Sequence, residues 1–179
     1  MKTAPEILTT ARMRGERLGP AHQEALAPIL ADPRVGATMG GVASAAEVAE
    51  QLASSAERWD REGFGYWMFF DAVSGEPLAR GGLSRTEFDG QPEVEVGWTV
   101  TPHRWGEGLA GELGAAALEV ALGDLGLPDV VAFTLPDNVA SLRVMAKLGF
   151  VYEKTAPYKI YGDHVLYRRQ RGGGRTRAA

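Results

Sequence analysis

Between Glu93 and Leu122 the hydrophobic period of the chain changes once, and abruptly. Val94, Val96, Trp98 and Val100 alternate with Glu93, Glu95, Gly97 and Thr99, the period of two expected of a strand with one buried face. After Pro102 the apolar residues Leu109, Leu113, Ala117 and Val120 recur at helical spacing. The junction between them is short and carries Gly106 and Gly108. A strand must therefore run almost directly into a helix. The first amides of a helix have no partner within it, and the helix dipole is positive there, so such a junction attracts anions. Glycines without Cβ let a phosphate approach the backbone closely. The junction points to a phosphate-bearing ligand; the plainer reading is a glycine-eased turn.

Two nucleotide motifs are tested first. A Walker A loop needs Gly-Lys-Ser/Thr at the helix start, and Glu107-Gly108-Leu109 does not supply it. Gly106, Gly108 and Gly111 do match the Gly-x-Gly-x-x-Gly spacing of a dinucleotide fold. That junction, however, lies past the middle of the chain and follows what reads as an antiparallel meander. No acidic residue is clearly placed at a strand end about 20 residues on.

The flanking sequence reads as a mixed α/β domain. A strand is expected within residues 6–18 and a helix from Pro20 to Leu30. Asp32-Pro33 and Gly40-Gly41 read as loop. Ser44 and Glu47 form a capping box that opens a helix to Arg61, with Val48, Leu52, Ala56 and Trp59 on one face. Tyr66–Phe70 and Leu78–Arg85 read as strands, and Asp89-Gly90 as a hairpin turn. Beyond the junction come a strand over 129–134, a helix over 138–148 ended by Gly149, and strands over 150–154 and 161–168.

There is no internal repeat and no linker, so one domain is expected over residues 1–168. Residues 169–179 read as a flexible Arg/Gly-rich tail, which could grip RNA or an acidic partner but is more simply a frayed terminus. The chain is 45% hydrophobic and 23% charged, sufficient for a packed core. Its net charge of −4 argues against a general nucleic-acid binder. The absence of Cys excludes a disulfide framework, a thiolate metal site and a cysteine nucleophile. No apolar run reaches the roughly 18 residues of a membrane span, and the N-terminus lacks a signal-peptide pattern. A cytoplasmic protein without membrane or nucleic-acid partners is the expectation. His22 reads as a surface helix residue, His103 as a loop residue beside the junction and His164 as structural; their separation offers no metal site.

Three ordered motifs carry a resemblance to a known family: Glu95-Val96-Gly97-Trp98 on the strand, Trp105-Gly106-Glu107-Gly108-Leu109-Ala110 at the helix start, and Asn138-x-x-Ser141 followed by Lys147-Leu148-Gly149-Phe150. Together they resemble the GNAT superfamily of acetyl-CoA-dependent N-acetyltransferases, within it the ribosomal-protein N-terminal acetyltransferase branch. Leu8–Arg14 looks like that branch's first strand, and the likeness covers roughly residues 6–168.

The resemblance implies a mostly antiparallel sheet with a central splay, flanked by helices. It implies acetyl-CoA as acyl donor, no metal, and a cofactor-binding set of Trp98, Val100, Arg104, Trp105, Gly106, Glu107, Gly108, Leu109, Ala110, Asn138 and Ser141. The pyrophosphate would lie on the amides of 105–110 and the pantetheine arm along Trp98–Val100, faced by Asn138 and Ser141. The acceptor would be a primary amine: a protein N-terminus, an amino acid, a polyamine or a drug-like amine. Glu95 is the expected catalytic base, acting through water, with Glu93 on the same strand face as the reserve. Many members place a proton-donating Tyr where this chain has Met145, and thioether sulfur cannot donate; Ser141 is the expected catalytic substitute at the leaving thiolate, with Tyr158 and Tyr161 as further candidates. The Trp59, Tyr66, Trp67 and Phe69 cluster reads as core that in part could line the acceptor pocket. A homodimer is compatible with the branch. The alternative reading is a non-catalytic acyl-CoA-binding or regulatory module on the same fold, or a nucleotide-binding regulator built on the same turn.

Overall fold

The computed structural model describes residues 2–172. Eight strands form one sheet: β1 (Ile7–Thr9), β2 (Met13–Arg17), β3 (Tyr66–Asp71), β4 (Pro77–Phe88), β5 (Gln91–Val100), β6 (Asp129–Thr134), β7 (Val151–Pro157) and β8 (Asp163–Gln170). Their order across the sheet is β1-β2-β3-β4-β5-β6-β8-β7. Every neighbouring pair is antiparallel except β5 and β6, which are parallel and joined by a single registered pair, Glu95 with Val131. The expected mixed, mostly antiparallel sheet with a central splay is therefore present.

Five α-helices cover the sheet: α1 (Gln23–Leu30), α2 (Pro33–Met39), α3 (Ala45–Glu62), α4 (Leu109–Leu118) and α5 (Val139–Lys147). The alternating residues of β5 separate the two faces as their period requires. Val94, Val96, Trp98 and Val100 join the core cluster that also holds Leu109, Leu113 and Ala117 of α4 and Met145 of α5. On the opposite face Met68 of β3 packs with Leu26, Ile29 and Leu30 of α1 and with Val48 and Leu52 of α3. A third cluster of Phe88, Val131, Ala156 and Leu166 fills the β6–β8 half.

Several local signals act as expected. Ser44 accepts from the Glu47 amide while the Glu47 carboxylate accepts from the Ser44 amide, the reciprocal capping box at the start of α3. Asp89 and Gly90, with φ of 50° and 72°, turn β4 into β5.

Four expectations change. The first strand is a hairpin, β1 and β2, hinged at residues 10–12. Asp32-Pro33 starts a helix instead of breaking the chain: Asp32 accepts from the Arg34 amide, and Pro33 stands in the first turn, where its missing N–H costs nothing. The tail begins later than residue 169, because Arg169 and Gln170 pair with Val130 and Asp129 and the Arg171 amide donates to the Pro128 carbonyl. The remaining tail, 173–179, lies outside the described residues. His22 is buried, with its ring Nδ1 beside the Gly19 carbonyl, not on the surface.

Candidate active site

The parallel pairing of β5 and β6 stops early, and this opens the site. The Thr101 amide donates to the Leu78 carbonyl, which marks Val100–Ala79 as a pair whose own N–H and C=O groups point away from β4. By the same alternation the backbone of Trp98 also points away from β4, toward β6. The ladder to β6 has ended at Glu95–Val131, so these groups face the gap between diverging strands. The Val100 carbonyl accepts from the Trp105 indole at 2.8 Å. The polar edge of Trp98 thus remains available to an extended ligand that pairs as a strand would. Both strands point their C-terminal ends toward this opening, and a helix begins just beyond each.

The first of these helices, α4, has Gly108 at its N-cap with φ of 82°, and Gly106 has φ of 83°. Both take the left-handed conformation that glycine adopts without a Cβ penalty. The first helical bond is Glu112 N–H to the Gly108 carbonyl, so the amides of Leu109, Ala110 and Gly111 have no partner inside the helix. Among the described residues no side chain caps them. A Cβ added at Gly106 would meet nothing within 4 Å, so the surface over the turn is open. The Arg12 guanidinium donates to the Glu107 carbonyl at 2.9 Å and is held by Glu112 on α4, which places an additional cation against the turn. Sequence reading did not single out Arg12, since only the β1–β2 hairpin brings it there.

On the sheet face opposite α4 lies a cavity of about 540 Å³, bordered by α3, β3, β4, β5 and residues 158–161. Glu95 lines it. Burial pushes the Glu95 carboxyl up to about 7, although Lys159, Arg80 and Arg58 pull it down. Tyr66 lies beside it, and burial together with the charge of Glu95 raises its phenol, which stays protonated at neutral pH. Gly97 explains part of the Glu-Val-Gly-Trp motif: a Cβ there would collide with the Tyr66 hydroxyl and crowd a Glu95 oxygen. Gly97→Ala should therefore lower thermal stability by about 1–3 kcal/mol through overpacking. It should also displace Tyr66 from the cavity, readable as a change in tyrosine fluorescence or ultraviolet absorbance.

The remaining expected residues fall into distinct places. Glu93 is held by Arg168, which also engages Asp129 and Glu153. These contacts tie down the reserve base, although it shares a strand face with Glu95. The Arg104 guanidinium is neutralised by Glu107 and Glu76, and the His103 Nε2–H donates to the Glu76 carboxylate at 2.6 Å. Their side chains buttress the turn. Trp98 sends its indole into the α4 core, so only its backbone meets the gap. Asn138 is the N-cap of α5: its side-chain oxygen accepts from the Ser141 amide and its NH₂ donates to Thr134. The Asn-x-x-Ser spacing is thereby a capping pattern at the start of α5, the helix that follows β6. Met145 is 1% exposed and belongs to the core. Tyr158 lines the cavity and stacks on Phe88, and Tyr161 closes against Gly40 at the end of α2.

The sequence matches the GNAT acetyltransferase domain family over residues 12–151, and the chain belongs to that family. Among curated relatives it is 30% identical over 164 residues to FsC-acetyl coenzyme A-N(2)-transacetylase of Aspergillus fumigatus, covering 85% of this chain and 68% of that protein. Against another, the YkkB protein of Bacillus subtilis, it is 31% identical over 93 residues and spans about half of that protein's length (54%). Among solved structures, a GNAT-family acetyltransferase from Bordetella pertussis superposes with a TM-score of 0.79 at 26% identity, over 92% of this chain and 99% of that one. The ribosomal L7/L12 N-acetyltransferase RimL, solved with coenzyme A, shares the fold at a TM-score of 0.74 and 18% identity, over 92% and 98% of the two chains.

Proposed function

We propose that this protein transfers an acetyl group from acetyl-CoA to a primary amine, directly, within a ternary complex. The observation that carries the reading is the position of Glu95. It sits at the last pair joining β5 to β6, where the acceptor cavity meets the strand gap, and its proton affinity is tuned close to neutrality. The pyrophosphate would rest on the free amides around Gly106–Ala110, and the pantetheine arm would pair with the exposed backbone of Trp98 and with the Val100 amide, the Val100 carbonyl being held by the Trp105 indole.

The amine enters the cavity and loses its ammonium proton to Glu95 through water, because only the free lone pair can attack. Nitrogen adds to the thioester carbonyl, and the C–S bond breaks as the tetrahedral intermediate collapses. The departing sulfur is received by the Ser141 hydroxyl as a hydrogen-bond donor. The second nitrogen proton passes through water to the departing thiolate, Glu95 returns the first to solvent, and amide and free CoA thiol leave. No cysteine exists to carry an acyl-enzyme.

The test is acetyl-CoA turnover across a panel of primary amines. Turnover by at least one is expected, with single-displacement kinetics. Tight CoA binding without turnover by any amine would favour the binding-module reading, which is motivated by Met145 standing where many family members have a proton-donating Tyr. Ser141→Ala should lower kcat by about tenfold with the Kd for CoA unchanged. A weakened Kd with normal kcat would restrict Ser141 to binding.

A further inference from the structure

The cavity around Glu95 carries more positive charge than its own acids can match. Five cationic side chains line it: Arg58, Arg61, Arg80, Arg85 and Lys159. The acids lining it are Glu62 and Glu95. Glu62 is taken by Arg61 at 2.9 Å and Arg85 at 2.5 Å. Arg58 donates to the hydroxyls of Ser84 and Ser54, and the Lys159 ammonium lies over the Tyr158 ring at 4.9 Å. Neither contact supplies a counter-charge.

Arg80 is the decisive residue. It stands on β4 opposite Thr99 and lines both the main cavity and a small adjoining one of about 50 Å³ beside α2. One amino group donates to Gln51 at 3.1 Å, and its guanidinium lies over the Tyr66 ring at 5.9 Å. Its Nε is sealed from solvent and has no acceptor among the described residues. A buried donor without an acceptor is costly, and more so on a charged group. Among the described residues no carboxylate lies within ion-pair distance of Arg58, Arg80 or Lys159.

We propose that the amine acceptor also carries an anionic group, a carboxylate or phosphate, which seats on Arg80 with Arg58 and Lys159 around it. This rests on the acetyl-transfer reading above. The amine would face Glu95 and the anion would face Arg80. Glu95 registers with Ser84, four residues along β4 from Arg80, so the two ends of the acceptor bind at separate points along the strand, with Tyr66 between. A simple alkylamine would leave the buried cation unanswered, and a polyamine would add charge of the wrong sign.

The experiment uses matched acceptors with acetyl-CoA and the full chain: 6-aminohexanoate against hexylamine, and phosphoethanolamine against ethanolamine. The two arms separate carboxylate from phosphate recognition. At least one anionic member should exceed its neutral counterpart in kcat/KM by about 10- to 100-fold. Arg80→Gln should collapse that ratio toward one through KM, with kcat for the anionic acceptor changed far less. Arg58→Gln should reduce the ratio partially, and serves if Arg80→Gln does not fold. Equal use of anionic and neutral amines by the wild type, or a ratio that survives Arg80→Gln, would overturn the proposal. If no amine is acetylated, calorimetric binding of 6-acetamidohexanoate against N-hexylacetamide to the CoA-saturated protein decides instead. Arg80-dependent preference for the carboxylate would sustain the anion seat and sink only the transfer reading, whereas no preference would sink the seat.

Discussion

Gly108→Asp should cost the protein its affinity for CoA, with Kd rising on the order of 100-fold or more. Two effects act together at this position. The added carboxylate occupies the mouth of the helix N-terminus where the ligand's own anion would lie, and like charges in that confined place repel. The residue also holds φ of 82°, a conformation that a side chain adopts at a cost. The Arg12 guanidinium, which would lie 3.8 Å from a Cβ at this position, would be drawn to the new carboxylate and away from the turn. Gly108→Ala is the control, since it keeps the backbone strain without the charge and should weaken binding far less. Isothermal titration with CoA reads both variants. Unchanged affinity in the Asp variant would remove the phosphate assignment.

Glu95→Gln should lower kcat/KM by about 100- to 10,000-fold while leaving the Kd for CoA intact. A base must be deprotonated to act, and burial holds this carboxyl up to about 7. The wild-type rate should therefore fall as pH drops below about 7, on an acid limb that the Gln variant lacks. The limb set by the amine itself, near pH 8 for an α-amino group and above 10 for an alkylamine, should remain in both. Stability carries a linked signature. The folded state holds its Glu95 proton more tightly than the unfolded chain, whose Glu titrates near 4.3. Wild-type stability should thus decline relative to Glu95→Gln as pH rises from about 4.5 to about 7. Between about pH 4.5 and pH 8 the wild-type Tm should fall by a few degrees relative to that of the Gln variant. A rate profile with no limb near 7 would remove Glu95 as the base, and a Tm difference that does not change with pH would deny its burial.

Much of this site was legible in residue order because its signals are local. The period-two to period-3.6 change marks where β5 ends and α4 starts, and Gly106 and Gly108 are residues that take left-handed conformations there without a Cβ penalty. The Ser44–Glu47 box closed as read. The misreadings came from signals with two meanings. Asp-Pro serves a turn and a helix start equally well, and which one forms at Asp32-Pro33 depends on Val35 finding a place in the α1–α3 cluster. Glu93 and Glu95 share one strand face, and period cannot tell them apart; Arg168, 75 residues on from Glu93, takes Glu93 and leaves Glu95 in the cavity.

The cavity end of the candidate site had no local signal at all. Arg58, Arg80 and Lys159 come from a helix, a strand and a loop, and each alone resembles a solvated surface cation. The strand-to-helix junction and its glycines determined, by backbone sterics and the unpaired amides of a helix start, that this chain presents an open helix N-terminus at the end of β5. Only the tertiary structure decided which carboxylate is desolvated and which cations are left unmatched. Burial and charge balance are sums over everything that packs around a group, and they have no counterpart in the spacing of residues along the chain.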